Sequence, residues 1–108
     1  MEQYVYLLRP RRLAMLTEGP DEIEAEALAG HVAYLERLAQ DGQVLLAGRT
    51  QTAEARTLGL VIFEAGSEEA AHAIMAGDPA VAAGVMSAEL HPYRIAVISP
   101  QILEATCT

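Results

Sequence analysis

The chain has 108 residues, a length that fits a single domain with one modest core. Seven basic side chains, all arginine, stand against 15 acidic ones, and a formal net charge of −8 argues against a nucleic-acid or anionic-membrane partner. Cys107 is the only cysteine, so an internal disulfide is excluded, and no apolar run approaches the roughly 20 residues of a membrane span. Because strand-like residues follow Met1 directly, without a signal-peptide pattern, we expect a cytoplasmic protein.

The first half of the chain predicts a strand, a long helix and a second strand. Residues 3–8 are rich in aromatic and β-branched side chains and predict an inner strand, followed by a loop over residues 10–19. A proline and several acidic residues then suit the first turn of a helix over about residues 20–40, in which apolar residues recur every three or four positions. Residues 44–48 predict the second strand.

The second half repeats this order after a polar loop or hairpin over residues 49–56. Alternating apolar residues predict a third strand over residues 57–64, and a helix follows from the N-cap at Ser67 to about Ala76. Residues 79–85 predict one more short helical turn, and residues 90–98 predict the fourth strand.

The resulting order, βαββαβ, predicts a ferredoxin-like α+β sandwich. In this architecture two helices cover one face of a four-stranded antiparallel sheet with strand order 4-1-3-2, because both βαβ crossovers are right-handed. We expect one domain over residues 1–98 and a C-terminal tail over residues 99–108.

The second face of this sheet has no helix to cover it. Tyr4 and Tyr6 alternate with Val5 and Leu7, so both faces of the first strand are apolar. An exposed apolar sheet face promotes aggregation, and we therefore expect a homodimer that buries it.

Two residues, His31 and Asp78, have the chemistry of an acid–base pair. His31 lies in the middle of the apolar face of the long helix, where a histidine is usually a core residue bonded to a backbone carbonyl. Asp78 lies in a Gly-Asp-Pro turn after the second helix, where its usual role is to cap local N–H groups. His72 and His91 show no metal-ligand spacing with these residues, and the sequence predicts neither a metal site nor a cofactor.

Several motifs occur in the order and spacing of a known family. They are His31-Val-Ala-Tyr-Leu with the Val44-Leu-Leu-Ala-Gly strand, the run Asp78-Pro-Ala-Val-Ala-Ala-Gly-Val, and Glu89-Leu-His-Pro-Tyr-Arg-Ile. With these motifs, over about residues 3–98, the chain resembles the YCII-related (YciI-like) proteins of the dimeric α+β barrel superfamily. It departs from them at Gly30, where an acidic residue is often found, and at Arg49, where proline is common.

The resemblance implies a subunit that dimerises through its sheet and a catalytic acid–base pair formed by His31 and Asp78. It also implies lyase, isomerase or oxygenase chemistry on a small, often cyclic molecule. We expect the substrate to be partly apolar and to carry an acidic or phenolic group. Arg9, Tyr6 and Tyr34 are the residues predicted to bind it, although the two tyrosines are also expected as residues that fill the core. Arg49 adds a cation near the pocket mouth.

Two alternatives stay open beside an enzyme with a His–Asp acid–base pair. One is a non-catalytic ligand-binding or accessory module of the same fold, and the other is a cofactor-free monooxygenase, which would require oxygen. A mostly apolar cavity that reaches both His31 and Asp78 would favour catalysis, whereas a filled core around His31 would favour an inert module.

Overall fold

A computed structural model of the chain describes residues 1–52 and 54–102. Cys107 and the rest of the predicted tail beyond residue 102 lie outside the described residues. The elements, in chain order, are β1 (Glu2–Pro10), α1 (Ala14–Thr17), α2 (Glu22–Gln40), β2 (Val44–Arg49), β3 (Gly59–Ala65), α3 (Glu68–Gly77), α4 (Pro79–Ala82) and β4 (Met86–Tyr93).

The four strands form one antiparallel sheet in the order β2-β3-β1-β4, which confirms the predicted strand order and the ferredoxin-like α+β fold. Tyr6 on β1 lies opposite Val61 on β3 and Leu90 on β4. Directly opposed residues of an antiparallel pair point to the same side of the sheet, so this register fixes which side chains meet the helices.

The core lies between the sheet and the two long helices, α2 and α3. Tyr4, Tyr6 and Leu8 on β1 are buried on this face together with Val61 and Phe63 on β3. The rings of Tyr6 and Phe63 meet edge to face, with centroids 5.6 Å apart and an interplanar angle of 68°. Side chains of both helices pack against the same cluster: Leu35, Leu38, Ala71, Ile74 and Met75.

Several boundaries predicted from the sequence are wrong, and the last strand ends at Tyr93 rather than at Ile98. The segment 10–19, predicted as a loop, contains the short helix α1, which holds Met15 against Ala27 and Val85 in a small second core cluster. The last strand begins at Met86 rather than Leu90, because Gly84, with φ of 74°, ends the turn after α4 and lets the strand start at once. A helix of four residues is too short to show a hydrophobic periodicity in the sequence, so α1 could not be predicted.

The second face of the sheet is partly covered within the single chain. Val5 and Ile62, which are paired across β1 and β3, are only 7% and 8% exposed, whereas Leu46 on the edge strand β2 is 53% exposed. The side chain of Gln3 accepts the backbone N–H of Ile95 (2.7 Å), so the segment after β4 turns back onto this face. None of the helices in residues 1–52 and 54–102 is long and apolar enough to cross a membrane.

Candidate functional site

His31 and Asp78 are in direct contact where α2 meets the junction of α3 and α4. Nδ1 of the His31 ring lies 2.8 Å from Oδ1 and 2.7 Å from Oδ2 of Asp78. These distances confirm the predicted contact between the two side chains. They also make the ring nitrogen a donor to a carboxylate, because an ionised carboxylate can only accept.

Local chain geometry places Asp78 at this junction. Its backbone is extended between two helices (φ −65°, ψ 123°), so it ends α3 and serves as the N-cap of α4. Oδ1 of Asp78 accepts the N–H of Ala80 (3.0 Å), and Pro79 occupies the first turn of α4, where its missing N–H costs no hydrogen bond. The capping role inferred from the sequence and the contact with His31 therefore occur in one side chain.

The Asp78 carboxylate is fully buried, with 0% exposure, and is surrounded by donors. Besides His31 and the Ala80 N–H, the Tyr6 hydroxyl donates to Oδ2 (2.8 Å). Burial, and then the negative charge of Asp78, raise the pKa of Tyr6 far above its ordinary value. Tyr6 thus stays protonated and remains a donor, and the carboxylate keeps a fixed orientation toward the histidine.

His31 also borders a cavity of about 740 Å³. The side chain is 16% exposed and lines the cavity wall, whereas Asp78 lies behind it and does not. Since Nδ1 is occupied by Asp78, Nε2 is the nitrogen left to meet a bound molecule. With Nδ1 protonated and the ring neutral, the Nε2 lone pair is free to accept a proton.

The cavity exists because the sheet below it carries small residues. Ala47 and Gly59 lie on the helix-facing side of β2 and β3, opposite Val61 and Arg49 respectively, and they leave space between the sheet and α2. Leu8 closes the floor beside Gly59. Most of the remaining lining is apolar and comes from the end of β1, the segment around α1, α2 and the start of β4: Pro10, Met15, Leu16, Pro20, Leu28, Leu35 and Met86.

Gly30, the residue before the histidine, lets the two halves of the site approach each other. A Cβ at this position would lie 3.1 Å from Cβ and 3.3 Å from Cγ of Pro79, closer than most contacts in proteins. Any side chain here would push α4 away from α2, and Asp78, which begins α4, would move with it. The glycine that departs from the family pattern thus has a packing role beside the His31–Asp78 contact.

The three residues predicted to bind substrate do not line the cavity. Arg9 is exposed and alternates with the inward-facing Leu8, so it lies on the other face of the sheet. Tyr34 donates to the carbonyl of Ile74 (2.7 Å), and burial, followed by the charge of Asp78, raises its pKa. Tyr6 supports Asp78 from below. Substrate binding by these three residues stays a prediction that their positions do not support.

Other polar side chains on the cavity wall were not predicted as binding residues. Arg49, noted in the sequence only as a cation near the pocket mouth, lines it together with Glu36 and Thr57. Glu36 follows His31 by five positions in α2. Residues that share one face of a helix are three or four positions apart, so this spacing does not predict a common site. In the parts of the chain that the structure describes, no group of three or more His, Cys, Asp or Glu side chains is placed to hold a metal ion.

Sequence comparison identifies the family of this chain. The profile of the YCII-related domain matches residues 3–92, which is most of the chain and contains both His31 and Asp78. The chain belongs to the YCII-related domain family. Comparison with curated proteins finds no match.

Among solved structures, the fold is similar to that of 5-chloro-2-hydroxyhydroquinone dehydrochlorinase (TftG) from Burkholderia phenoliruptrix AC1100, determined in complex with 2,5-dihydroxybenzoquinone. The TM-score is 0.60, the sequences are 22% identical, and the alignment covers 84% of this chain and 93% of TftG. At this identity the similarity establishes the shared fold.

Proposed function

We propose that this protein is a small-molecule enzyme in which His31 transfers a proton and Asp78 positions it. The observation that carries the proposal is that His31, whose Nδ1 contacts a fully buried carboxylate, also lines the cavity. A histidine that only filled the core would not face an open, mostly apolar space. This arrangement favours catalysis over the inert module, although the cavity reaches His31 alone.

The parts of the site have separate roles in proton transfer. Nε2 of His31 takes a proton from the bound molecule, and the positive charge that forms on the ring is stabilised by Asp78 through Nδ1. Tyr6 and the Ala80 N–H hold the carboxylate in place, so no side chain has to reorient when the charge appears.

We infer lyase-type chemistry, with isomerisation as the closely related outcome. His31 would remove a proton from a carbon next to a carbonyl or enol group, and the C–H electrons would form a new double bond. In elimination, a leaving group on the adjacent carbon departs with its electron pair, and the proton passes from His31 to solvent. In isomerisation, no group leaves: the π electrons of the carbonyl move onto its oxygen to give an enolate, and they return when His31 delivers the proton to another carbon. The activity named for TftG, a loss of hydrogen chloride from a hydroxylated ring, is of this first kind and supports a small cyclic substrate.

We also propose that the protein works as a homodimer joined through the outer face of the sheet. Leu46 is half exposed there and Leu7 and Leu60 are only partly buried, so apolar area remains for a second copy. Light scattering at micromolar concentration should give the mass of a dimer. A monomer under these conditions would contradict this assembly, but the proton-transfer site lies within one chain and would not be affected.

Hydrogen–deuterium exchange tests the chemistry before the substrate is known, because proton abstraction is common to elimination and isomerisation. A panel of small cyclic diketones and hydroxyquinones in D₂O is followed by NMR, with and without protein. We expect the native protein to accelerate exchange at an activated carbon of at least one compound, and His31→Gln to lower that rate by about 10²- to 10⁴-fold. Exchange without oxygen would separate this chemistry from that of a cofactor-free monooxygenase.

The control is His72→Gln, which removes an exposed histidine of α3 outside the cavity lining and should leave the rate unchanged. Equal rates for the native protein and His31→Gln, or no acceleration anywhere in the panel, would contradict the proposal and favour the non-catalytic module.

A further inference from the structure

The charged side chains of the cavity wall are few and differ in sign. Among the lining residues, Arg49 is the only arginine and Glu36 the only carboxylate, and the remaining polar side chains are His31 and Thr57. The hydroxyl of Thr57 is occupied within its own loop, where it donates to the carbonyl of Thr52. A bound molecule therefore meets a fixed positive charge at one place only.

The strand register directs Arg49 to the cavity side of the sheet. Arg49 at the end of β2 lies opposite Gly59 on β3, and Gly59 lies opposite Leu8 on β1. Since opposed residues share a face and Leu8 belongs to the helix-facing core, Arg49 points to the same face. Gly59 has no side chain that could fill the space beside it, and the guanidinium can reach over the cavity floor.

The guanidinium of Arg49 is not engaged elsewhere in the described parts of the chain. No hydrogen bond or ion pair joins it to Glu36 or to any other side chain there, in contrast with Arg12 and Arg56, which pair with carboxylates. A guanidinium presents planar pairs of N–H donors that match the two oxygens of a carboxylate or the adjacent oxygens of an enolate.

We propose that Arg49 is the anion anchor of this cavity and determines its specificity. The ligand would be a small, mainly apolar molecule with one anionic oxygen group, carboxylate or phenolate, bound by Arg49. Its apolar body lies over Leu8 and Leu35, and its reacting carbon faces His31. The catalytic part of this statement rests on the proposed function, whereas the binding part does not.

The acidic character of the whole protein does not oppose this assignment. The net charge of −8 acts at long range and is screened beyond roughly 10 Å at physiological salt, so the charges of the cavity wall decide which ligands bind. Arg9, the cation predicted from the sequence to bind substrate, lies on the opposite face of the sheet and cannot take this role without leaving its strand.

The test compares charged and neutral probes of the same shape. Naphthoate and naphthamide form the carboxylate pair, and nitrophenolate and nitroaniline form the phenolate pair. Binding is measured by NMR chemical-shift titration near pH 8 on the native protein, Arg49→Gln and Arg94→Gln. The last variant has the same net charge as Arg49→Gln but changes an exposed arginine that does not line the cavity.

We expect Arg49→Gln to weaken binding of at least one anionic probe roughly five- to tenfold, at the low end for a charged hydrogen bond because Arg49 is exposed. Its neutral partner should change by less than about twofold, and Arg94→Gln should change neither. The pair that responds identifies carboxylate or phenolate as the preferred group.

Three results would overturn the assignment: equal losses for charged and neutral probes, the same loss in Arg94→Gln, or no binding of either anion by the native protein. His31→Gln is run in parallel. If its exchange activity equals that of the native protein while the Arg49 preference stands, the proposed catalysis fails and the anion site remains. If exchange depends on His31 but Arg49→Gln has no selective effect, only the anion anchor fails.

Discussion

The two ends of the cavity are held by different kinds of interaction. At the inner end, Asp78 is fully buried and bonded to three donors. At the outer end, the segment around α1 is tied to α2 by Arg12 and Glu24, whose side chains are 47% and 10% exposed. Fully buried, satisfied bonds are costly to break, whereas an ion pair with one partner half exposed to solvent contributes less and weakens with salt. Asp78, and with it the His31 ring, is therefore held more firmly than the cavity entrance.

The same residue type at two helix N-termini makes this comparison measurable. Asp21 caps α2 by accepting the N–H of Glu24 (2.8 Å) at an exposed site, and Asp78 caps α4 at a buried one. Replacing an exposed cap removes one hydrogen bond. Replacing Asp78 also leaves the Tyr6 hydroxyl and the His31 ring without their buried acceptor.

The largest effect is expected for Asp78→Ala. We predict a loss of about 3 to 5 kcal/mol in the free energy of unfolding, because the change leaves the Tyr6 hydroxyl and the His31 ring without a hydrogen-bond acceptor. Asp21→Ala, the matched control, should cost about 1 kcal/mol. Urea unfolding of both variants gives the two values. Equal losses would show that the buried carboxylate adds nothing beyond its cap, and the contrast between the two ends would fail.

A smaller effect at the same end concerns Tyr6 and alkaline pH. The folded state raises the pKa of Tyr6 above its ordinary value of 10.0, whereas the unfolded chain ionises near that value. The contribution of protonated Tyr6 to the free energy of unfolding is therefore complete below about pH 10. It is lost as the pH rises, because only the unfolded chain releases the phenol proton. Linkage limits this loss to about 1.4 kcal/mol per pH unit for one phenol.

Above pH 10 the free energy of unfolding should decline less steeply in Tyr6→Phe than in the native protein, by up to about 1.4 kcal/mol per pH unit. The substitution should also cost about 1 kcal/mol at neutral pH, since the hydrogen bond to Asp78 is lost. Tyr93→Phe changes an exposed tyrosine of β4 and serves as the control. A slope that is the same in Tyr6→Phe and the native protein would show that Tyr6 is not held as a protonated donor.

The inner end could be predicted from the sequence to a large extent. The apolar periodicity of α2 predicts that His31 faces inward, and the Gly-Asp-Pro turn predicts that Asp78 lies at a helix end. The order of the elements then predicts that the two side chains lie close together, as they do. What could not be predicted is the distance between them. It depends on Gly30 packing against Pro79, a contact between residues 49 positions apart that no local pattern encodes.

The outer end was predicted poorly for a related physical reason. Arg9 and Arg49 both stand at strand ends, and the sequence favoured Arg9 as the binding residue. Which of them faces the cavity depends on the register of each strand, and a shift of one residue reverses every side chain. The bulge between Val44 and Leu46 in β2 adds such a shift, so Arg49 could not be oriented by counting along the strand.

The smallest effect is expected at the outer end, where Arg12 donates from Nε to Oε2 of Glu24 (2.9 Å) and from Nη2 to Oε1. These bonds, with the N–H of Asp21, lower the pKa of Glu24 to about 2. The unfolded carboxyl titrates near 4.5, so its contribution is complete above that pH and is lost as the pH falls toward 2. Arg12→Gln should therefore reduce the acid sensitivity of the unfolding free energy in this range.

The same variant should loosen the entrance without affecting the inner end. Met15 and Leu16 line the cavity from the segment that Arg12 holds, so we expect faster amide exchange at both residues and no change at Ala80. Glu54→Gln, which breaks the exposed pair with Arg56, is the control and should leave all three unchanged. Faster exchange at Ala80 in Arg12→Gln would mean that the two ends are coupled, and that the ion pair at the entrance also helps to hold Asp78 beside His31.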